Sequence, residues 1–109
     1  MYTVDDIFEL LRKGEFNIKC KDGLHRVSGY TATIDCEDRG NKVMGVPIGV
    51  HKNGKYWTVT DLHTGLAITA TDVHTKRSDA IGAFLMKYPA YSRLCIRRER
   101  DGVEWWLIS

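Results

Sequence analysis

The sequence predicts an α+β fold, in which a mainly antiparallel sheet of about seven strands carries two helices on one face. In several short stretches apolar and polar residues alternate with the period of half-buried strands. Strong hairpin signals, Asn53-Gly54 and Asp101-Gly102, separate some of these stretches. Two other stretches have apolar residues at helical spacing. Together these patterns predict the order α-β-β-β-β-β-α-β-β.

Length and composition predict a single compact domain over residues 1–109. A chain of 109 residues that is 43% hydrophobic can bury one core without disulfide support. The three cysteines are widely spaced, which predicts reduced thiols, and Cys20, Cys36 and Cys95 are each expected in a strand as small core residues. The sequence shows no signal-peptide pattern and no run of about 18 apolar residues. We therefore expect a cytoplasmic protein that does not insert into a membrane.

The first elements are a helix and a strand. Thr3 and Asp6 form a capping-box-like pair ahead of apolar residues at helical spacing, which predicts a helix over about 4–13. Gly14 fits the left-handed residue that often follows a helix. Alternation over 16–20 then predicts a half-buried strand.

Three further strands follow a turn at residues 21–23. The stretch 26–36 alternates with one apolar face, and the polar run 37–41 ends it. In the next strand the apolar residues of 46–50 share one face, and Asn53-Gly54 predicts a two-residue type I′ loop after it. That loop would pair Lys52 with Lys55, Val50 with Trp57 and Ile48 with Val59. The opposite face would carry His51, Tyr56, Thr58 and Thr60, as a solvated or a docking surface.

The remaining elements are a short strand, a helix and a C-terminal hairpin. A turn over 61–65 leads into a strand over 66–70. An apolar stripe over 80–88 predicts a helix that begins near Thr75 and ends at Pro89. Alternation from Leu94, the Asp101-Gly102 turn and the stretch 103–108 then predict a closing hairpin.

In that hairpin the pairing places Trp106 on the outward face, opposite Arg97. An outward tryptophan can anchor a partner, and a stacked base contributes about 1–3 kcal/mol. It can also pack on an arginine stem as a surface cation–π pair of about 0.5–1 kcal/mol. The sequence leaves both interpretations open. As a set, the predicted partner-binding residues are Tyr56, Thr58, Thr60, Trp106 and Arg97.

The charge is unevenly distributed, although the net charge is only +2. Residues 1–41 hold six Lys/Arg against eight Asp/Glu, a net −2, whereas residues 42–109 hold ten against six, a net +4. This excess is either a solvated basic face or a phosphate-binding patch. The residues of the second interpretation are Lys76, Arg77, Arg93, Arg97, Arg98 and Arg100.

No linear motif of the sequence indicates a catalytic reaction or a bound metal or phosphate. The four histidines lack metal-ligand spacing, and no serine or glycine-rich loop has a catalytic or phosphate-binding context. His63 and Asp61 suggest an acid–base pair, but a turn over residues 61–65 with an Asx-type hydrogen bond explains the same residues better. We expect a non-enzymatic protein without cofactor or metal.

Three strings carry a resemblance to known proteins: 56–61 (YWTVTD), 64–68 (TGLAI) and 75–81 (TKRSDAI). They look like a pattern in small phage and mobile-element proteins. More loosely, they are similar to the three-stranded DNA-contacting modules that precede tyrosine recombinase catalytic domains. In those modules, strands with a Thr-Gly turn lead into a Thr-Lys-Arg helix start.

The phage resemblance implies a compact accessory protein in a host bacterial cytoplasm. Many such proteins bind and disable a host component, for example a defence nuclease, as anti-CRISPR proteins do. The leading expectation is therefore a non-enzymatic inhibitor that grips a protein partner, such as a host nuclease complex, by surface complementarity. The alternative is a nucleic-acid-binding module that uses the basic C-terminal region.

Overall fold

The computed structural model describes residues 2–101, which form two helices and one four-stranded antiparallel sheet. The strands are paired in chain order, β1-β2-β3-β4. The fold class is α+β, but the predicted seven strands and their order are wrong. In chain order the elements are α1 (Val4–Leu10), β1 (Arg12–Cys20), β2 (Gly23–Asp38), β3 (Asn41–Asn53), β4 (Tyr56–Asp61) and α2 (Arg77–Asp101).

Helix α1 begins with the predicted capping box. The Thr3 side chain accepts from the Asp6 backbone N–H, and the Asp6 carboxylate accepts from the Thr3 backbone N–H. The helix ends at Leu10, earlier than predicted, because Leu11 is extended and β1 starts at Arg12. Gly14 therefore lies inside β1 and does not terminate the helix.

The β3–β4 hairpin has a different register from the predicted one. Asn53 pairs with Tyr56, so the two loop residues are Gly54 and Lys55. Gly54 has a φ of 63° at the first loop position, where type II′ loops need glycine. The pairing shifts by two residues and so preserves the faces: Val50 lies opposite Val59.

The predicted strand over 66–70 does not form. One isolated bridge joins Thr60 and Ala67. The reason lies in a side chain, because the Thr69 hydroxyl accepts from the Val59 backbone N–H at 3.0 Å and replaces a ladder carbonyl. The segment instead lies across the edge of β4 as an irregular connection to α2.

Helix α2 continues through Pro89 to Asp101, so the predicted stop at Pro89 and the strand from Leu94 are wrong. Proline removes one helical hydrogen bond, at a cost of about 3 kcal/mol. Beyond it, however, Tyr91 and Cys95 are buried against the sheet, which favours the continued helix. The predicted hairpin cannot form from residues 94–101, and its other strand, 103–108, lies outside the described residues.

The main core lies between the sheet and the two helices. Its centre is fully buried and includes Ile7 of α1, Ile34 of β2, Ile48 of β3 and Phe84 of α2. The Phe84 ring meets the edge of the Tyr91 ring at a centroid distance of 5.7 Å. Within residues 2–101, no helix is long and apolar enough to cross a membrane.

A second, smaller interior lies on the other face of the sheet. The sheet coils so strongly that Phe16 of β1 reaches β3, where its ring lies 5.8 Å from the His51 ring. At Gly49 a Cβ would lie 2.7 Å from the Phe16 ring. The coil also brings the turn after β4 back to β1, since the Lys19 backbone N–H donates to the Gly65 carbonyl at 2.8 Å. The sheet is therefore partly closed, in the manner of a small barrel.

Candidate functional site

The predicted partner-binding residues occupy different surroundings. Tyr56 is half-buried at the end of the β3–β4 hairpin, where the Lys55 ammonium lies 5.2 Å from its ring centroid. Thr58 and Thr60 are each 1% exposed. Arg97 is exposed on α2, and Trp106 lies outside the described residues. Tyr56 and Arg97 are accessible to a partner, whereas the two threonines lie inside the fold.

The threonines are buried because the sheet coils. They share a face with His51 and Gly49, their cross-strand partners on β3, and this face lines the second interior beneath Phe16. The alternating pattern specified the faces correctly, but the prediction of a solvated or docking face was wrong. A period of two does not reveal whether another strand folds over the polar face.

His51 is the ionisable group of this interior. It is 4% exposed, and neither its Nδ1 nor the Thr58 hydroxyl has a hydrogen-bond partner within residues 2–101. Burial lowers the pKa of His51, because the apolar surroundings disfavour the imidazolium. The folded protein therefore holds this ring neutral at pH 7.

We expect acid to destabilise the fold through His51. The unfolded chain takes up a proton near its ordinary pKa of 6.5, whereas the folded chain resists it, so the unfolded state binds more protons in this window. The contribution of His51 to the free energy of unfolding is therefore fully present above about pH 6.5, and it is lost as the pH falls towards the lowered pKa. Thermal midpoints at pH 7.5 and 5.5 should differ less in His51→Gln than in wild type. Equal slopes would contradict this, and His63→Gln is the control because His63 is exposed.

The basic residues of the nucleic-acid alternative do not meet on one patch. Lys76 and Arg77 lie at the N-terminal end of α2, and Arg97 lies about 30 Å along the helix. Arg98 is only 9% exposed and faces the core, where its Nη1 lies 3.6 Å from Asp61 Oδ2. The predicted set is thus divided between two ends and two faces of one helix.

Three of these arginines do share a face. They belong to a row of five residues in which neighbours are four or three positions apart. This spacing places the side chains along one side of the helix. All members are exposed, and Met86, at 86%, is the most exposed of the large apolar side chains in the described part. We call this row the outer face of α2. It consists of Met86, Ala90, Arg93, Arg97 and Arg100.

On the inner side of α2, Asp61 holds a buried polar network together. The Tyr91 hydroxyl donates to Asp61 Oδ1 at 2.6 Å, and the Thr64 backbone N–H and hydroxyl donate to Oδ2 at 3.1 and 2.8 Å. Burial, and then the charge of Asp61, raise the pKa of Tyr91, so it remains a phenol and a donor. The carboxylate therefore organises the turn after β4 and anchors α2, and it does not pair with exposed His63.

Two cysteines meet in the core. Cys36 of β2 and Cys95 of α2 are 0% and 1% exposed, and the hydrogen bond between their thiols, together with burial, raises the pKa of Cys36. A buried thiol of raised pKa is a poor nucleophile. Cys20, which the sequence placed in the core, is exposed, and Cys95 lies on a helix instead of a strand.

Among the described residues, no group of three or more His, Cys, Asp or Glu side chains is placed to hold a metal ion. Sequence reasoning missed the outer face of α2 because Pro89 concealed the length of the helix. The spacing of Arg93, Arg97 and Arg100 was a signal that could have revealed it. Comparison with known proteins gives no match to a family model, to a curated protein or to a solved structure.

Proposed function

We propose that this chain is a non-enzymatic binding protein that grips an acidic protein surface through the outer face of α2. The observation that carries the proposal is the composition of that face, which combines three exposed arginines with a highly exposed methionine. Arginine and methionine are both enriched at protein interfaces. The face also lies on a rigid helix, whose inner side is fixed in the core by Phe84 and Tyr91.

Charge complementarity specifies the partner. An acidic protein surface complements the positive charge of these arginines and would be drawn to the face before contact. Met86 supplies apolar area in the same row, about two helical turns before Arg93. In the phage interpretation the partner is a host macromolecule, and a defence nuclease complex is the specific proposal.

The second candidate is nucleic-acid binding, because a row of three arginines also suits phosphates. The two candidates differ in their dependence on salt and in their sensitivity to nuclease. Binding to phosphates through arginines weakens steeply as salt rises. Capture of a protein partner would survive nuclease treatment.

We expect Arg93→Glu/Arg97→Glu to reduce partner capture at least tenfold. Reversing both charges places carboxylates against an acidic partner, and like charges across an interface cost several kcal/mol. The tagged chain would be immobilised, exposed to bacterial lysate with and without nuclease, and the captured protein quantified. The folded state should change little, because both side chains are exposed.

The matched control is Lys21→Glu/Arg26→Glu, which makes the same change of charge at exposed positions far from α2 in the sequence. Its capture should equal that of wild type. Equal capture by the α2 variant and wild type would refute the proposed surface. Loss of all capture after nuclease treatment would instead favour the nucleic-acid candidate.

A further inference from the structure

One end of the helix-facing side of the sheet carries an open groove. The groove has a volume of about 500 Å³ and runs over β1, β2 and the β3–β4 hairpin. We use the name aromatic platform for the two aromatic rings in its lining together with three polar side chains of the same lining. It consists of Lys13, Ser28, Tyr30, Lys52 and Trp57.

The register of the sheet places a lysine beside each ring of the platform. Lys13 lies directly opposite Tyr30, and Lys52 lies directly opposite Trp57, so each pair shares one face. The two rings are half-buried, with centroids 6.5 Å apart and planes inclined by 36°. Both lysines are exposed. Aromatic surface and positive charge therefore alternate across neighbouring strands.

Arg77 adds a third positive charge next to the same rings. Its guanidinium lies 4.6 Å from the Tyr30 centroid and 5.7 Å from that of Trp57. The Trp57 backbone N–H donates to the His74 carbonyl at 2.7 Å, which fixes the strand that carries the ring. Both rings line the groove, and Arg77 does not. Glu15 is the acidic residue of the lining, so cations predominate.

We propose that the aromatic platform binds single-stranded nucleic acid. Bases would stack on Trp57 and Tyr30, and Lys13 and Lys52 would neutralise the flanking phosphates. Proteins that bind single strands without sequence preference combine these two elements, ring surfaces and a positively charged groove. A duplex hides the faces of its bases, so the ring surfaces select an unpaired strand. This activity goes beyond capture of a protein by α2 and uses another surface.

The test is fluorescence anisotropy with a fluorescein-labelled oligothymidylate of twelve nucleotides. Wild type should bind it, with an affinity that falls as salt rises. Lys13→Glu/Lys52→Glu should weaken binding at least tenfold. Its log–log salt slope should be smaller by roughly 0.7 for each lysine removed, as expected for single strands. An abasic backbone of the same length should bind wild type at least about fivefold more weakly, because stacking is lost.

The matched control is Lys21→Glu/Lys42→Glu, which makes the same change in net charge at exposed positions outside the platform. It should bind the oligonucleotide within about twofold of wild type at physiological ionic strength, where exposed charges beyond about 8 Å are largely screened. Equal losses in both double variants would overturn the proposal, since they would indicate a diffuse electrostatic effect. Absence of wild-type binding at low salt, or equal affinity for the abasic strand, would also overturn it.

Discussion

Replacing Asp61 with alanine is expected to lower the free energy of unfolding by about 3–5 kcal/mol, the usual cost of breaking a buried ion pair. The carboxylate is 4% exposed and accepts hydrogen bonds from Tyr91 and Thr64 while facing Arg98. Without it, the Arg98 charge loses its buried counter-ion and the Tyr91 hydroxyl loses its acceptor. Both groups would remain desolvated, which is why the effect exceeds that of one hydrogen bond. Urea denaturation at pH 7 measures the change.

Two further variants make this expectation specific. Asp72→Ala, at an exposed position in the connection to α2, should change stability by less than about 0.5 kcal/mol. Asp61→Ala/Arg98→Met should be more stable than Asp61→Ala alone, because it removes the uncompensated charge. A loss below about 1 kcal/mol in Asp61→Ala would contradict the central role of this carboxylate in joining β4 to α2.

The sequence predicted the parts of the fold that depend on local rules. The Thr3 capping box formed, and the alternation over 46–50 identified the face that enters the core. The hairpin faces were also correct, although the loop lies one residue later than predicted. These features depend on side-chain period and on backbone groups a few residues apart, which a single sequence displays directly.

Features that depend on tertiary packing were not predictable in this way. Pro89 normally ends a helix, yet α2 continues because Tyr91 and Cys95 find places in the core. The inner stripe of α2 includes Arg98, whose burial depends on Asp61, 37 positions earlier in the chain. A charged residue on a helix is ordinarily assigned to the solvent side, so the pattern alone favoured the wrong structure.

The candidate surfaces also combine features that the sequence displays with features that depend on tertiary packing. The charge excess of residues 42–109 was readable, but its separation by α2 into an outer face and a buried Arg98 was not. Lys13 and Tyr30 are seventeen residues apart in sequence and become neighbours only through the β1–β2 register. Cross-strand neighbours depend on where a turn closes, and a shift of that turn changes every pair.

The close approach of β2 to β3 leads to the second large prediction, that Gly29→Ala lowers the free energy of unfolding by about 3 kcal/mol, the upper end of the usual cost of overpacking. A Cβ at Gly29 would lie 2.4 Å from the Val50 carbonyl oxygen and 3.0 Å from the His51 Cβ. The first of these atoms belongs to the backbone of β3, so it cannot rotate away as a flexible side chain could. The strands would have to separate at this point, which would open the interior around His51. Urea denaturation is the measurement.

Gly14→Ala is the matched control, because Gly14 lies directly opposite Gly29 in the β1–β2 register. A Cβ at Gly14 would meet the Thr31 methyl group at 3.5 Å, an ordinary van der Waals contact. Since alanine also restricts the unfolded chain, this variant should be neutral or more stable by up to about 1 kcal/mol. Similar losses in both variants would assign the effect to strand propensity, and the close approach of β2 to β3 would then not require glycine. A large loss at Gly29 alone, with the His51-dependent acid sensitivity reduced because water reaches the ring, would tie both observations to the same close approach of β2 to β3.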